Sequence, residues 1–399
     1  MPRSGTVADL PFLFTPSPSR GTPTPVPPPA PKVSLIPSAE PNGSVSLPTS
    51  LEAIIRHAHD HRYSDVHLGV GEEPRFRDRG EMLRTGWPAT DAACFRDWLK
   101  QLLSPGEIDA FLREKDFDGA QNFPFVRVRI NLMEALRGPA MVLRLIPNTV
   151  ASIEDLNLPS VLKALAERPK GLLLVTGPTG SGKSTTLAAV IDYINRSMKR
   201  HILTIEDPVE FVHASQLSLV HQREVGYHTK EFSTALRAAL REDPDVILIG
   251  EIRDKETLAT ALEASQTGHL VLGTMHTNSA VRTVERILGL VPPQEQEVVR
   301  RSVSESLLGV ISQGLIRTTE GGRVAFHDLF VNTDACRDYI VRGELEEIEE
   351  IMNRSSFDGM ITMNQSLARL VEDGKVQASE ALALSPRANE LSQTLRGRV

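Results

Sequence analysis

Residues 171–195 read GLLLVTGPTGSGKSTTLAAVIDYIN, and their reading decides the fold. A short apolar run, LLLVT, leads straight into Gly177-Pro178-Thr179-Gly180-Ser181-Gly182-Lys183-Ser184, and a helix-forming segment follows at once. The octet matches G-x-x-x-x-G-K-S/T in the strand–loop–helix setting that its chemistry requires. Three glycines let the main chain curl so that successive N–H groups point inward at one phosphate, while the helix starting near Lys183 adds its positive end. Lys183 brings mobile positive charge to the β- and γ-phosphates, and the Ser184 hydroxyl is placed to ligate Mg2+. The stretch predicts a nucleoside triphosphate site.

Further along, His201–Ile205, Val246–Gly250 and Leu270–Thr274 are short apolar runs like Gly171–Thr176, and helical segments separate several of them. Such runs are buried in parallel sheets, so they predict an α/β domain with a central, mostly parallel sheet. The second strand ends in Ile205-Glu206-Asp207-Pro208-Val209-Glu210, three carboxylates within five residues at the edge where ligands of open sheets gather. Mutual repulsion makes such a cluster costly unless a cation or donors compensate; a solvated acidic turn is the alternative. The strand VILI runs into Gly250-Glu251-Ile252-Arg253-Asp254, in the manner of a Walker B segment. Gly250 stands where many such strands carry the Mg2+ aspartate, so Glu251 inherits the metal role or shares it through water. His269 and His276 flank the last strand. They are either structural histidines or N–H donors to a γ-phosphate. Beyond about Asn278 strands become sparse, and helical patterns dominate Val281–Gly314 and Met363–Leu384.

Upstream of the decisive stretch, residues 1–50 hold 13 of the 27 prolines, among Ser, Thr and Gly. That composition cannot bury enough apolar surface to offset the entropy of ordering, which predicts a disordered arm serving as a tether. From Leu51 a compact region begins, with a helix LEAIIRHAHDH, a strand Asp65–Leu68, helical character over 91–115, and strands Phe125–Ile130 and Met141–Ile146. The period of two places Arg127 and Arg129 on one face, either solvated or turned to an anion, and pattern alone favours solvent. The expected organisation is an arm 1–50, an N-terminal domain 51–148, a linker 149–157, a phosphate-binding α/β domain 158–385 with a helical C-terminal part, and a flexible tail 386–399.

The whole chain, at 399 residues with 44 Lys+Arg against 51 Asp+Glu, carries a net charge of −7 and no general attraction to nucleic acid. Cys94 and Cys336 are too few and too distant for a disulfide framework or a four-thiolate zinc site, which fits a reducing cytosol. No run of about 18 apolar residues occurs and no signal peptide leads the chain, so direct membrane insertion is not expected, while docking onto a membrane complex stays open.

Taken in order, these segments resemble the secretion ATPases of type IV pili and of type II and IV secretion, and within them the pilus retraction ATPases. GPTGSGKSTT is similar to the family's Walker A loop, TIEDPVEFVH to its Asp box, DPDVILIGEIRD to its atypical Walker B and TGHLVLGTMHTNSA to its His box. HQREVG, YSDVHL near the start, and VRVRINLMEALRGPAMVLRLIP match further family segments, so the resemblance spans roughly residues 51–385. FDGMITMNQSL, beginning at Phe357, is similar to the retraction branch, whereas Ala335-Cys336-Arg337-Asp338-Tyr339-Ile340 departs from that branch's Ala-Ile-Arg-Asn-Leu-Ile motif at three of six positions.

The resemblance implies a RecA-like P-loop ATPase domain behind a smaller PAS-like α+β N-terminal domain, with ATP and Mg2+ bound between them. It implies Glu210 as the carboxylate that polarises the attacking water, Glu251 and Ser184 beside Mg2+, and His276 and His269 near the γ-phosphate. Gly177, Thr179, Gly180, Ser181, Gly182, Lys183, Ser184 and Thr185 would line the phosphates, with Glu206 and Asp207 close by. Arg144 is the first choice for an arginine delivered by the N-terminal domain, and which of Arg127 and Arg129 adds a further nucleotide contact stays open; either one reverses the solvated reading of that face. A guanidinium fork suits a developing phosphate anion. The family forms homo-hexameric rings that drive an inner-membrane platform protein, which implies a cytoplasmic enzyme peripheral to the inner membrane at the pilus base. Rival readings are a secretion or extension ATPase, an accessory retraction ATPase, a nucleic-acid motor on the same core, and a scaffold that binds ATP without turnover. DNA stimulation and phosphate release separate the last two.

Overall fold

The computed structural model describes residues 48, 50–78, 80–147, 149–354 and 359–397, all within one compact unit, Leu47–Val399. The arm expected over 1–50 lies outside the described residues except for Pro48 and Ser50, and so does the Phe357-Asp358 pair of the C-terminal motif.

The N-terminal part contains α1 (Leu51–Asp60), β1 (Asp65–Gly69), β2 (Arg75–Asp78), β3 (Glu81–Arg84), α2 (Ala92–Leu102), α3 (Pro105–Glu114), β4 (Asp116–Asn122), β5 (Val126–Ala135) and β6 (Gly138–Pro147). The helix starts are written locally. Asp91 accepts from the N–H groups of Ala93 and Cys94, and Ser104 with Glu107 forms a capping box ahead of Pro105. The strands form an antiparallel six-stranded sheet in the order β3-β2-β1-β6-β5-β4. Alternation on β5 turns Val126, Val128, Ile130 and Leu132 into a core with Phe95, Trp98 and Phe111, leaving Arg127 and Arg129 on the opposite face. Full burial of each large apolar side chain contributes about 1.5–3 kcal/mol, which makes this face the one that anchors the helices.

Residues 149–160 run as turns and extended chain into the second sheet. Its elements are α4 (Val161–Ala166), β7 (Gly171–Thr176), α5 (Lys183–Ser197), β8 (His201–Glu206), β9 (Leu219–Glu224), α6 (Phe232–Ala239), β10 (Val246–Ile249), α7 (Lys255–Gln266), β11 (Leu270–Met275), α8 (Ala280–Leu288), α9 (Gln296–Ser306), β12 (Leu307–Arg317), β13 (Arg323–Val331), α10 (Asp334–Arg342), α11 (Glu346–Arg354), α12 (Met363–Glu372), α13 (Ala378–Leu384) and α14 (Ala388–Arg396). The order is β13-β12-β7-β11-β10-β8-β9, with only the β12/β13 pair antiparallel. Separate hydrophobic clusters cover its two faces, so β7, β10 and β11 are buried along their whole length. This is the expected parallel sheet flanked by helices.

Two expectations for the C-terminal part are corrected. The helical pattern read over Val281–Gly314 breaks at Leu307, where β12 begins and runs parallel to β7. A strand buried on both faces is apolar without a period of two, so its pattern does not separate it from a buried helix. The flexible tail over 386–399 is a helix through Arg396, and Leu391 is fully buried in a cluster with Ile316, Phe326 and Leu367.

Candidate active site

Because β7, β11, β10 and β8 are parallel neighbours, their C-terminal ends share one edge of the sheet. This single geometric fact gathers the loop after β7, His276 after β11, Glu251 after β10, and Glu206 with the turn to Glu210 after β8. The acidic cluster is thus an edge of the site.

Within the loop, Gly177, Gly180 and Gly182 all hold positive φ, at 144°, 79° and 88°. At Gly177 a Cβ would stand 2.3 Å from the Gln313 carbonyl oxygen and 2.6 Å from Ser181 Oγ, so no other residue fits that turn. Helix α5 starts at Lys183 with no side-chain cap from Gly182, which leaves its first N–H groups open on the concave side. Those groups, the curled loop and Lys183 make an anion cradle that fits the phosphates of a nucleotide. Lys183 Nζ lies back over the loop, donating to the carbonyls of Gly177 at 2.9 Å and Pro178 at 3.1 Å. Burial holds its ammonium below the usual range, and the charges of Glu251 and Glu210 oppose that shift. Thr179 and Gly180 form the exposed tip, and Ser184 and Thr185 are half-buried on the first turn of α5.

Glu251 is clamped on both oxygens, by Arg253 at 2.6 Å and by His276 Nε2 at 3.3 Å. Burial alone raises its pKa, but the Arg253 hydrogen bond and charge, with His276, outweigh it and keep the carboxyl below its ordinary value. Glu206 behaves oppositely. Desolvation pushes its pKa up to about 7 despite hydrogen bonds from Thr204, Gln222 and the Glu210 N–H. Asp207 and Glu210 are exposed. Oxygen donors of this kind suit a hard divalent cation.

The arginines separate into three environments. Arg129 forms a two-pronged pair with Asp118, at 3.1 and 2.7 Å, and also lies in the field of Asp207 and Glu210. Arg144, directly opposite Arg129 on β6, is held by Asp65 at 2.9 Å within the N-terminal sheet and is largely exposed. Arg127 is held between the two sheets. Its guanidinium is buried against Glu224 at 2.9 Å, the Val209 carbonyl at 3.2 Å and Asn122 at 2.9 Å. His269 lies apart from His276. It precedes β11, its carbonyl accepting from the Gly171 N–H, so the length of the strand, about 17 Å at the usual rise, keeps it from the edge where His276 stands.

Several contributors were not singled out from the sequence. Gln313 on β12 donates to the Ser181 carbonyl at 2.6 Å and accepts from Thr186 Oγ1 at 2.7 Å, pinning the loop to its helix. Gln222 and Glu224 lie in HQREVG, and the match of that segment was their signal. Arg253 lies two residues beyond Glu251, in the same Walker B quotation.

The fold and sequence are shared with known proteins. The family described as "Type II/IV secretion system protein" matches residues 40–387. A "Twitching motility protein" of Neisseria gonorrhoeae is 45% identical over 321 residues, 80% of this chain and 86% of its own. The "Type IV pilus retractation ATPase PilT" of Pseudomonas aeruginosa is 43% identical over 319 residues, 80% of this chain and 93% of its own. Among solved structures, the pilus retraction motor PilT with bound ADP superposes with a TM-score of 0.80 at 40% identity, covering 86% of this chain and 99% of the other.

Proposed function

The chain belongs to the type II/IV secretion system protein family, and from that membership we propose that it is an ATP-hydrolysing motor that powers retraction of type IV pili. The observation that carries the reading is the meeting of the phosphate cradle with Glu251 and Glu210 around Lys183, together with close similarity to a retraction ATPase along most of both chains.

In this reading Lys183 turns from its carbonyl contacts to the β- and γ-phosphates, and the glycine turns present their N–H groups to the same oxygens. Glu210 orients the attacking water. Mg2+, held by Ser184 and Glu251, would screen the phosphate charge; Glu251 stays ionised for that role because Arg253 and His276 lower its pKa. Asp207 and Glu206 complete the polar wall. Arg129 and Arg144 supply positive charge from the N-terminal sheet, so closure of that sheet over ATP stabilises the charge on the transferring phosphoryl group. Loss of the γ-phosphate removes the contact and lets the subunit reopen.

Work on a filament follows if subunits assemble head to tail into a closed homo-hexamer and fire in turn against an inner-membrane platform protein. Among the described residues no helix is long and apolar enough to cross a membrane, in keeping with a peripheral, cytoplasmic position at the pilus base. Lys183→Ala should abolish phosphate release, and Glu210→Gln should bind ATP without turning it over. Wild-type turnover by the Lys183 variant refutes the assignment. A deletion strain tests direction, because loss of retraction leaves surplus, immobile fibres whereas loss of extension leaves none.

A further inference from the structure

We propose that Arg127 and Glu224 are positioning residues that brace the Val209 peptide groups and so hold Glu210 where it acts, tying that position to the N-terminal sheet. The proposal rests on the role given to Glu210 above. Glu210 is exposed, so its placement depends on the main chain beneath it. That main chain is gripped on both sides. The Val209 N–H donates to Glu224 Oε2 at 3.0 Å, and the Val209 carbonyl accepts from Arg127 Nε at 3.2 Å. The same carboxylate oxygen accepts from the Arg127 Nη2 at 2.9 Å, closing a ring of three hydrogen bonds around one residue. Since the Val209 carbonyl and the Glu210 N–H belong to one planar peptide, a grip on that carbonyl also sets the orientation of the peptide that carries Glu210.

The brace crosses between two sheets. Arg127 belongs to β5 and is anchored there by Asn122, whereas Glu224 ends β9, 97 residues away in sequence. The side chains of Arg127 and Glu224 are 12% and 6% exposed, so the pair is dry enough to act as a rigid strut rather than a solvated contact. If the N-terminal sheet swings away, the strut leaves with it and the turn before Glu210 loses one of its two supports. A second crossing, the Tyr227 hydroxyl donating to the Asp118 carbonyl at 2.9 Å, takes no part in the ring of hydrogen bonds around Val209 and serves as the control.

The test is steady-state ATP hydrolysis by the full chain, with ADP affinity read by fluorescence titration. Arg127→Lys keeps a charge for Glu224 but lacks the fork that also reaches Val209. It should lower kcat by about a hundredfold, the usual consequence of a catalytic group displaced by about 1 Å, with KM and the ADP Kd within about twofold. Glu224→Gln retains an acceptor for the Val209 N–H and should fall in the same direction by less. Tyr227→Phe should leave kcat within about twofold. In a Glu210→Gln background Arg127→Lys should add nothing, because the group it places is gone. The proposal is overturned by wild-type kcat in both Arg127→Lys and Glu224→Gln, by a raised KM at unchanged kcat, by an equal loss in Tyr227→Phe, or by a further loss in the Glu210→Gln background. Failure of the hydrolytic reading looks different: wild-type protein would release no phosphate, or Lys183→Ala would release it normally.

Discussion

Replacing Gln313 with leucine should loosen the phosphate loop from behind, without removing any group that faces the nucleotide. Gln313 is 2% exposed on β12, and its amide bridges the Ser181 carbonyl and the Thr186 hydroxyl. Leucine fills a similar volume, so the loss is polar rather than a cavity. A buried acceptor left without a partner costs about 1–3 kcal/mol. Thr186 can turn its hydroxyl to a carbonyl one helical turn back, so most of that cost falls on Ser181. We therefore expect destabilisation of about 2 kcal/mol. The loop must also be held curled before phosphate arrives, so the ADP Kd should rise about tenfold, equivalent to ~1.4 kcal/mol. Denaturant titration reads the first quantity and fluorescence titration the second. Thr186→Val alone should cost less than Gln313→Leu, and the double variant should cost less than the sum, because the two share one bond. Unchanged ADP affinity together with unchanged stability in Gln313→Leu would refute the reasoning.

Gly177→Ala should abolish ADP binding in the same titration, since its Cβ would meet the Gln313 carbonyl at 2.3 Å on a backbone already at φ 144°; retained affinity would mean that the loop has room the geometry denies. Glu206 tests the pH dependence of stability. Its folded pKa, about 7, is raised from 4.5, so the stability of its protonated form is complete below about 4.5 and is lost as pH rises through about 7. Glu206→Gln should therefore gain on wild type across that window, by at most about 3 kcal/mol. A pH-independent difference in melting between the two proteins would exclude the shift.

Much of the fold and half of the site lie in contiguous residues. The octet at Gly177–Ser184 encodes its own turn, because glycine alone tolerates those φ values and a helix start needs no distant partner to present its N–H groups. The apolar runs of β7, β8, β10 and β11 announce a parallel sheet, and a parallel sheet aligns the ends that bear Glu206, Glu251 and His276. The pattern failed at Leu307–Gly314, where burial on both faces erased the period, and at 386–399, where one buried leucine holds a polar helix.

What the sequence determined by itself is therefore the phosphate cradle and the edge to which the acids come, since both depend on local backbone geometry and on strand direction. Only the tertiary structure decided which neighbours each charged group has. His269 and His276 sit in one motif yet at opposite ends of a strand, and three arginines of one short sheet have three different partners. Gln313 reaches the loop from 132 residues away and Arg127 reaches Glu224 from 97. The physical reason is that hydrogen bonds and charge pairs act over a few ångströms of space, whereas a sequence pattern records only neighbours along the chain.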